Sequence, residues 1–126
     1  MIVLDTSALL YWTLDPAQLS SKASEVIQGA GRIMVSSISI WEIALKVKRQ
    51  KLILPLTVAD YVERLQLLEA LEILSVDVQT WLDNLALPWE HRDPADRTIV
   101  ALAARFGCPL ITSDRLIAGF YPRTVW

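Results

Sequence analysis

Four acids stand where a carboxylate can do chemistry. Asp5 ends the apolar run Met1-Ile2-Val3-Leu4, and Glu42 sits within Ser39-Ile40-Trp41-Glu42-Ile43. Asp96 belongs to His91-Arg92-Asp93-Pro94-Ala95-Asp96-Arg97, and Asp114 follows Leu110-Ile111-Thr112-Ser113. Each has a local explanation. Asp5 suits a helix N-cap, Ser39-x-x-Glu42 fits a capping box, and Asp114 suits a turn. Asp93 suits the cap of a helix beginning at Pro94, with Asp96 in a first turn that favours negative charge. One cap needs one acid, so Asp96 is the least explained by that role. The placement repeats: an acid after the first strand, one soon after the second, one at the start of a late helix and one after the next strand. Carboxylates gathered in this way repel each other and raise each other's pKa values. A hard divalent cation relieves the repulsion, and oxygen donors suit Mg²⁺ or Mn²⁺. Such a site can activate a water and stabilise charge building on a phosphodiester.

Short apolar strands must deliver these acids. Met1–Leu4 is apolar without alternation, which predicts a strand buried on both faces in a parallel sheet. In open α/β sheets, ligands bind at the C-terminal ends of the strands, and Asp5 stands at such an end. Further strands are expected at 33–35, 71–74 and 110–112, with a last one at 124–126. Helices are expected from Thr6 or Ser7, either of which can serve as cap, to about Trp12, and then over about 20–28, 36–50, 58–70 and 77–85. The best-marked helix spans Pro94 to Phe106, with Pro at its first position and Gly107 just past its end. Strands alternating with helices predict a central parallel sheet covered on both faces.

Length and composition narrow the possibilities. With 126 residues, one domain over 1–126 is expected. A net charge of only -2 argues against broad attraction to polyanions. The single cysteine, Cys108, rules out an internal disulfide and suggests a reducing cytoplasm. No apolar run reaches the roughly 18 residues of a membrane span, and no basic-then-apolar start marks a signal peptide. Hydrophobic residues make up 53% of the chain and include five tryptophans. That is high for a small domain and places part of the apolar surface in an interface.

His91 is the only histidine, which rules out a multi-histidine metal site; its loop context predicts a surface position, with a place on the site's rim near Asp93 as the alternative. Lys46, Lys48, Arg49 and Lys51 cluster at a helix C-terminus, where cations suit the macrodipole. They are also the cations that an acidic chain would need if it bound nucleic-acid phosphates. Lys46, one turn after Glu42, can instead pair with it. Arg97 is expected to serve a neighbouring acid or the sheet edge, and Cys108 to be a buried small hydrophobe.

The ordered series Leu4-Asp5-Thr6-Ser7, Ser39-Ile40-Trp41-Glu42-Ile43, His91 to Arg97 and Ile111-Thr112-Ser113-Asp114 resembles a PIN domain, and more narrowly the VapC-type toxins of bacterial toxin–antitoxin pairs. The resemblance spans essentially the whole chain. It implies an α/β fold, a three-layer α/β/α sandwich around a mostly parallel sheet of four to five strands. It implies an Mg²⁺- or Mn²⁺-dependent endoribonuclease with Asp5, Glu42, Asp96 and Asp114 as the acidic tetrad that holds the metal. Ser7, Thr6 and Asp93 take supporting positions, and Lys46 and Arg97 become candidate RNA contacts. It further implies an RNA substrate, a cognate antitoxin and a homodimer. Ala95 departs from the family pattern, since many relatives carry Phe there. Two other readings compete. An aspartate-based phosphotransfer domain would want a second acid where Ser7 stands. A non-catalytic PIN-like scaffold would usually have lost one of the four acids.

Overall fold

The computed structural model describes residues 1–126. In chain order the elements are β1 (Ile2–Leu4), α1 (Thr6–Leu14), a 3₁₀ turn (Pro16–Gln18), α2 (Ser21–Gly29), β2 (Ile33–Ser36), α3 (Ser37–Lys48), α4 (Val58–Gln66), β3 (Leu71–Leu74), α5 (Val78–Ala86), α6 (Pro94–Phe106), β4 (Leu110–Ile111), α7 (Arg115–Phe120) and β5 (Thr124–Val125). The five strands form one sheet in the order β3-β2-β1-β4-β5, and every pairing is parallel. This is the expected α/β/α arrangement.

The short strands divide their side chains between two cores because successive residues point to opposite faces. Ile2, Leu4, Ile33, Val35 and Ile111 pack with Ala8 and Leu9 of α1, Ile27 of α2, and Tyr61 and Leu65 of α4. Val3, Met34 and Leu110 pack on the other face with Ile99, Val100 and Ala103 of α6, and with Ile117 of α7. Burial on both faces is why no alternation shows in the sequence. Helix α3 gives Ile38 to the second core and Ile43 to the first. It therefore straddles the two layers and carries Glu42 across the sheet's end. Strand order reverses at β1: the chain leaves it towards β2 and later returns to pair β4 on its other side. Such a reversal opens a crevice beyond the strand ends, and Asp5 follows β1 directly.

Several boundaries differ from expectation. Asp5 itself, not Thr6 or Ser7, caps α1, taking the Ala8 N–H at 2.8 Å, and the helix runs on to Leu14. Helix α3 is capped by Ser36, whose Oγ accepts from the Ile38 N–H at 3.2 Å. Ser39 is then inside the helix and buried, so the predicted Ser39–Glu42 capping box does not form. Helix α4 stops at Gln66 rather than about Ala70, because residues 67–70 turn the chain into β3. Thr112 lies outside β4, and α7 was not foreseen. Asp15-Pro16, Gly107 (φ 59°) and Pro94 act as predicted. No helix is long and apolar enough to cross a membrane.

Candidate active site

The acids of the sequence series line one cavity of about 270 Å³: Asp5, Glu42, Asp93, Asp96 and Asp114 share it with Thr6, Ser7, Lys46 and Ser113, and no apolar side chain joins them. A larger cavity of about 380 Å³ lies elsewhere, lined mainly by apolar residues of α1 and α4 such as Trp12, Leu14 and Leu65, and holds no acid. Of these two the polar cavity is the chemically relevant one, since it concentrates carboxylates.

Capping and site roles coincide here. Asp5, Asp93 and Asp114 are the N-caps of α1, α6 and α7. Asp93 Oδ1 accepts the Ala95 and Asp96 N–H groups at 2.9 and 3.1 Å, and Asp114 Oδ1 accepts those of Leu116 and Ile117 at 2.8 and 3.1 Å. One oxygen of each is thereby anchored, while the second oxygens of Asp93 and Asp114 make no hydrogen bond. Three helix N-termini converging on one cavity also offset part of the negative charge.

The remaining orientation comes from residues distant in sequence. The Thr112 hydroxyl donates to Asp5 Oδ2, and Thr112 Oγ1 accepts the Asp114 N–H at 3.0 Å. This buried threonine couples the first acid to the last. The Thr6 hydroxyl donates to Glu42 Oε1, and buried Ser39 Oγ lies 2.9 Å from Thr6 Oγ1. Thr6 thus orients Glu42 and does not cap a helix. His91 Nε2 lies 2.7 Å from Asp96 Oδ2. Its ring stands 4.7 Å from that of Trp89, which stacks on Phe120 at 4.8 Å and 8°. His91 is therefore half-buried against a cavity-lining acid, which favours the rim alternative over the surface-loop expectation. Thr112 and Ser39 were missed as site residues, and His91 is expected there only as the alternative to a surface position. Only the position of His91 two residues before Asp93 gave a signal.

Arg97 is also corrected. Its guanidinium donates to the carbonyls of Asn84 (2.6 Å), Leu87 (3.3 Å), Trp89 and His91 (3.1 Å), and to Asn84 Oδ1 (3.2 Å). With its donors taken up by the 84–91 segment, it is a clamp for the loop that carries His91, not an RNA contact. Lys46 lines the cavity and makes no ion pair with Glu42 within 4 Å, so the expected pairing does not form.

The electrostatics follow from burial and crowding. Burial lifts the Asp5 carboxyl from 3.8 to about 6; the Thr112 and Ala8 hydrogen bonds oppose this, and the charges of Asp96 and Asp114 add to it. Burial also lifts Glu42, against the Thr6 hydrogen bond and the Lys46 charge and with help from Asp93 and Asp96. Asp96 is raised by burial, opposed by its His91 hydrogen bond and reinforced by Asp93 and Asp114. Burial first, and mutual repulsion after it, make these carboxylates disfavour their own charge, and a bound cation would relieve both. The tightest set of ligand-type atoms is His91, Asp93 and Asp96, all within 4.8 Å of one another. Asp5, Glu42 and Asp114 do not join that trio. The donor set of the cavity as a whole is hard oxygen and suits Mg²⁺ or Mn²⁺.

Comparison with known proteins bears on family and fold. The PIN domain model matches residues 2–120. Ribonuclease VapC22 of Mycobacterium tuberculosis is 32% identical over 129 residues, covering 99% of this chain and 98% of that protein. Among solved structures, a toxin–antitoxin complex from Klebsiella pneumoniae contains a chain that matches with a TM-score of 0.67 at 19% identity, over 100% of this chain and 97% of that one. Mycobacterium tuberculosis VapC20, described as a sarcin-ricin loop cleaving toxin, matches with a TM-score of 0.66 at 16% identity, over 94% of each chain. At those identities the two structures speak for the fold alone. The near-complete family match and the full-length relative speak for descent, and the chain is a member of the PIN domain family, of the VapC type.

Proposed function

We propose that this chain is an Mg²⁺- or Mn²⁺-dependent endoribonuclease that acts as the toxin of a toxin–antitoxin pair in the cytoplasm. The observation that carries this reading is the apolar-free cavity in which Asp5, Glu42, Asp96 and Asp114 meet, three of them raised in pKa. Its relative VapC22 bears the name ribonuclease, and the Klebsiella pneumoniae fold match is a toxin–antitoxin complex. These four acids would hold the cation, which when bound polarises a phosphodiester and lowers the pKa of water. The chain's own residues keep the site in order. Thr112 and the Ala8 N–H fix Asp5, Thr6 fixes Glu42, and His91 fixes one oxygen of Asp96. Asp93 supports the site by capping α6, Lys46 offers a phosphate contact, and Ser7 and Ser113 add hydroxyls to the wall. The exposed apolar residues Val78, Trp81, Leu82 and Leu85 give a homodimer or an antitoxin a surface to cover.

The test is cleavage of total RNA by purified protein with Mg²⁺ or Mn²⁺ and with EDTA, followed by mapping of new 5′ ends. Cleavage should need the cation and vanish in folded Asp96→Asn. Undiminished cleavage by that variant would overturn the assignment. A wild-type protein that binds no cation at this cavity by calorimetry would favour a scaffold.

A further inference from the structure

A second groove of about 280 Å³ adjoins the acid cavity and shares Glu42, Lys46 and Asp93 with it. Beyond those shared residues its wall consists of Trp41, Leu45, Arg49, Lys51, Pro94 and Ala95. Its chemistry is unlike that of the acid cavity: one large aromatic ring and three cations, counting Lys46, stand beside a concentration of carboxylates.

The placement follows from the helix. Trp41 and Leu45 are one turn apart on α3, as are Glu42 and Lys46, with Arg49 following at the C-cap. Gln50 then takes the left-handed conformation (φ 56°), and the Lys51 N–H returns to the Lys46 carbonyl at 2.8 Å. This closing turn folds Lys51 back against the helix end, so that it lines the groove with Lys46 and Arg49. None of Lys46, Lys48, Arg49 or Lys51 belongs to an ion pair, since the ion pairs of the chain involve only Arg32, His91 and Arg105. All four side chains are exposed in a chain of net charge -2, and only part of the Lys46 charge is offset, by Glu42 beside it. Trp41 is 57% exposed and makes no ring contact, unlike Trp89 and Trp126.

We propose that this groove seats the single-stranded RNA flanking the cleaved bond, with one base stacked on Trp41 and adjoining phosphates on Lys46, Arg49 and Lys51. The proposal rests on the nuclease reading above and names how that site holds its substrate. Stacking on an aromatic ring beside backbone-tracking cations is the general mode for single strands. An acid-lined cavity by itself repels a polyanion, and a cationic flank supplies the attraction that the net charge does not. A duplex cannot lay a base on Trp41 without unstacking it.

The test uses the full chain in an Asp96→Asn background, so that no RNA is consumed, and a fluorescein-labelled mixed-sequence oligoribonucleotide of about ten nucleotides. Anisotropy gives the affinity at several salt concentrations. Trp41→Ala should weaken binding roughly 5- to 100-fold, and Trp41→Phe should restore most of it. Arg49→Ala with Lys51→Ala should lower the slope of log affinity against log salt by about 1.4. The same oligonucleotide annealed to its complement should bind more weakly than the single strand. With Asp96 restored, the groove variants should raise KM for RNA cleavage and leave kcat unchanged. If the wild type cleaves RNA while these variants bind and cleave like it, the groove proposal falls and the nuclease reading stands. If the wild type neither binds nor cleaves RNA, both fall. If Trp41→Ala breaks an oligomer by light scattering without changing RNA affinity, the groove is a protein interface and the proposal is overturned.

Discussion

Replacing Asp5 by Asn should stabilise the metal-free protein at neutral pH while destroying its activity. The folded carboxyl titrates near 6 against 3.8 unperturbed, chiefly because it is buried. For an acid raised in this way, the folded state holds a proton that the unfolded chain has already lost between those two values. Stability from this group is therefore fully present below about pH 4 and is lost as pH rises through 6. At about 1.4 kcal/mol per pH unit, the loss above pH 6 is about 3 kcal/mol. Asparagine carries no charge and keeps an acceptor for the Ala8 N–H, but its amide must replace the carboxylate opposite the Thr112 hydroxyl. Subtracting about 1 kcal/mol for that weaker bond leaves about 2 kcal/mol. For a chain of this size that is a rise in Tm of roughly 8 °C. Thermal melts in EDTA should show Asp5→Asn above wild type by this margin at pH 7 and close to it at pH 4. Added Mn²⁺ should then raise the wild-type Tm and leave that of the variant nearly unchanged, because a ligand stabilises only the state that binds it. Equal melting temperatures at pH 7 in EDTA, or a gap of the same size at pH 4, would refute the reasoning.

Other perturbations address the residues that aim the acids. Thr112→Val removes the hydroxyl between Asp5 and Asp114; it should cost about 1–3 kcal/mol in denaturant unfolding and raise the Asp5 midpoint read by carboxyl ¹³C NMR. His91→Leu should shift the Asp96 carboxyl midpoint upward in the same experiment, since the His91 hydrogen bond now opposes the effect of burial, and His91→Gln should recover part of the shift. Arg97→Met releases the 84–91 loop carbonyls; a loss of at least about 2 kcal/mol is expected, with faster tryptic cleavage after Arg92 in the native protein.

The N-caps explain why single-residue readings of the acids stay ambiguous. A carboxylate has two oxygens, and in Asp93 and Asp114 the cap occupies one of them. Asp5 uses both, one for the cap and one for Thr112, and is correspondingly the most deeply buried of the set. A helix cap at the end of a buried strand is thus a cheap way to hold an acid at a ligand-binding edge. The same residue satisfies an orphan N–H and supplies charge.

What the sequence determined by itself is what local forces decide. The apolar runs at Ile2–Leu4, Ile33–Ser36 and Leu71–Leu74 are strands, and Pro94 to Gly107 contains a helix with both ends marked. Asp5 and Asp114 follow their strands because acids there are caps whatever else they do. The start of α3 at Ser36 was legible, but the local Ser39-x-x-Glu42 pattern misled: Ser39 lies buried inside the helix and caps nothing. Six-residue α7 is too short to show a period. The tertiary structure alone decided the strand order, the meeting of the acids in one cavity, and the partners that orient them. Thr112 reaches Asp5 across 107 positions and Thr6 reaches Glu42 across 36, while Arg97 secures carbonyls up to 13 residues back. Such contacts follow from which strands lie side by side, and that choice rests on the packing of two whole cores, which no short stretch of sequence encodes.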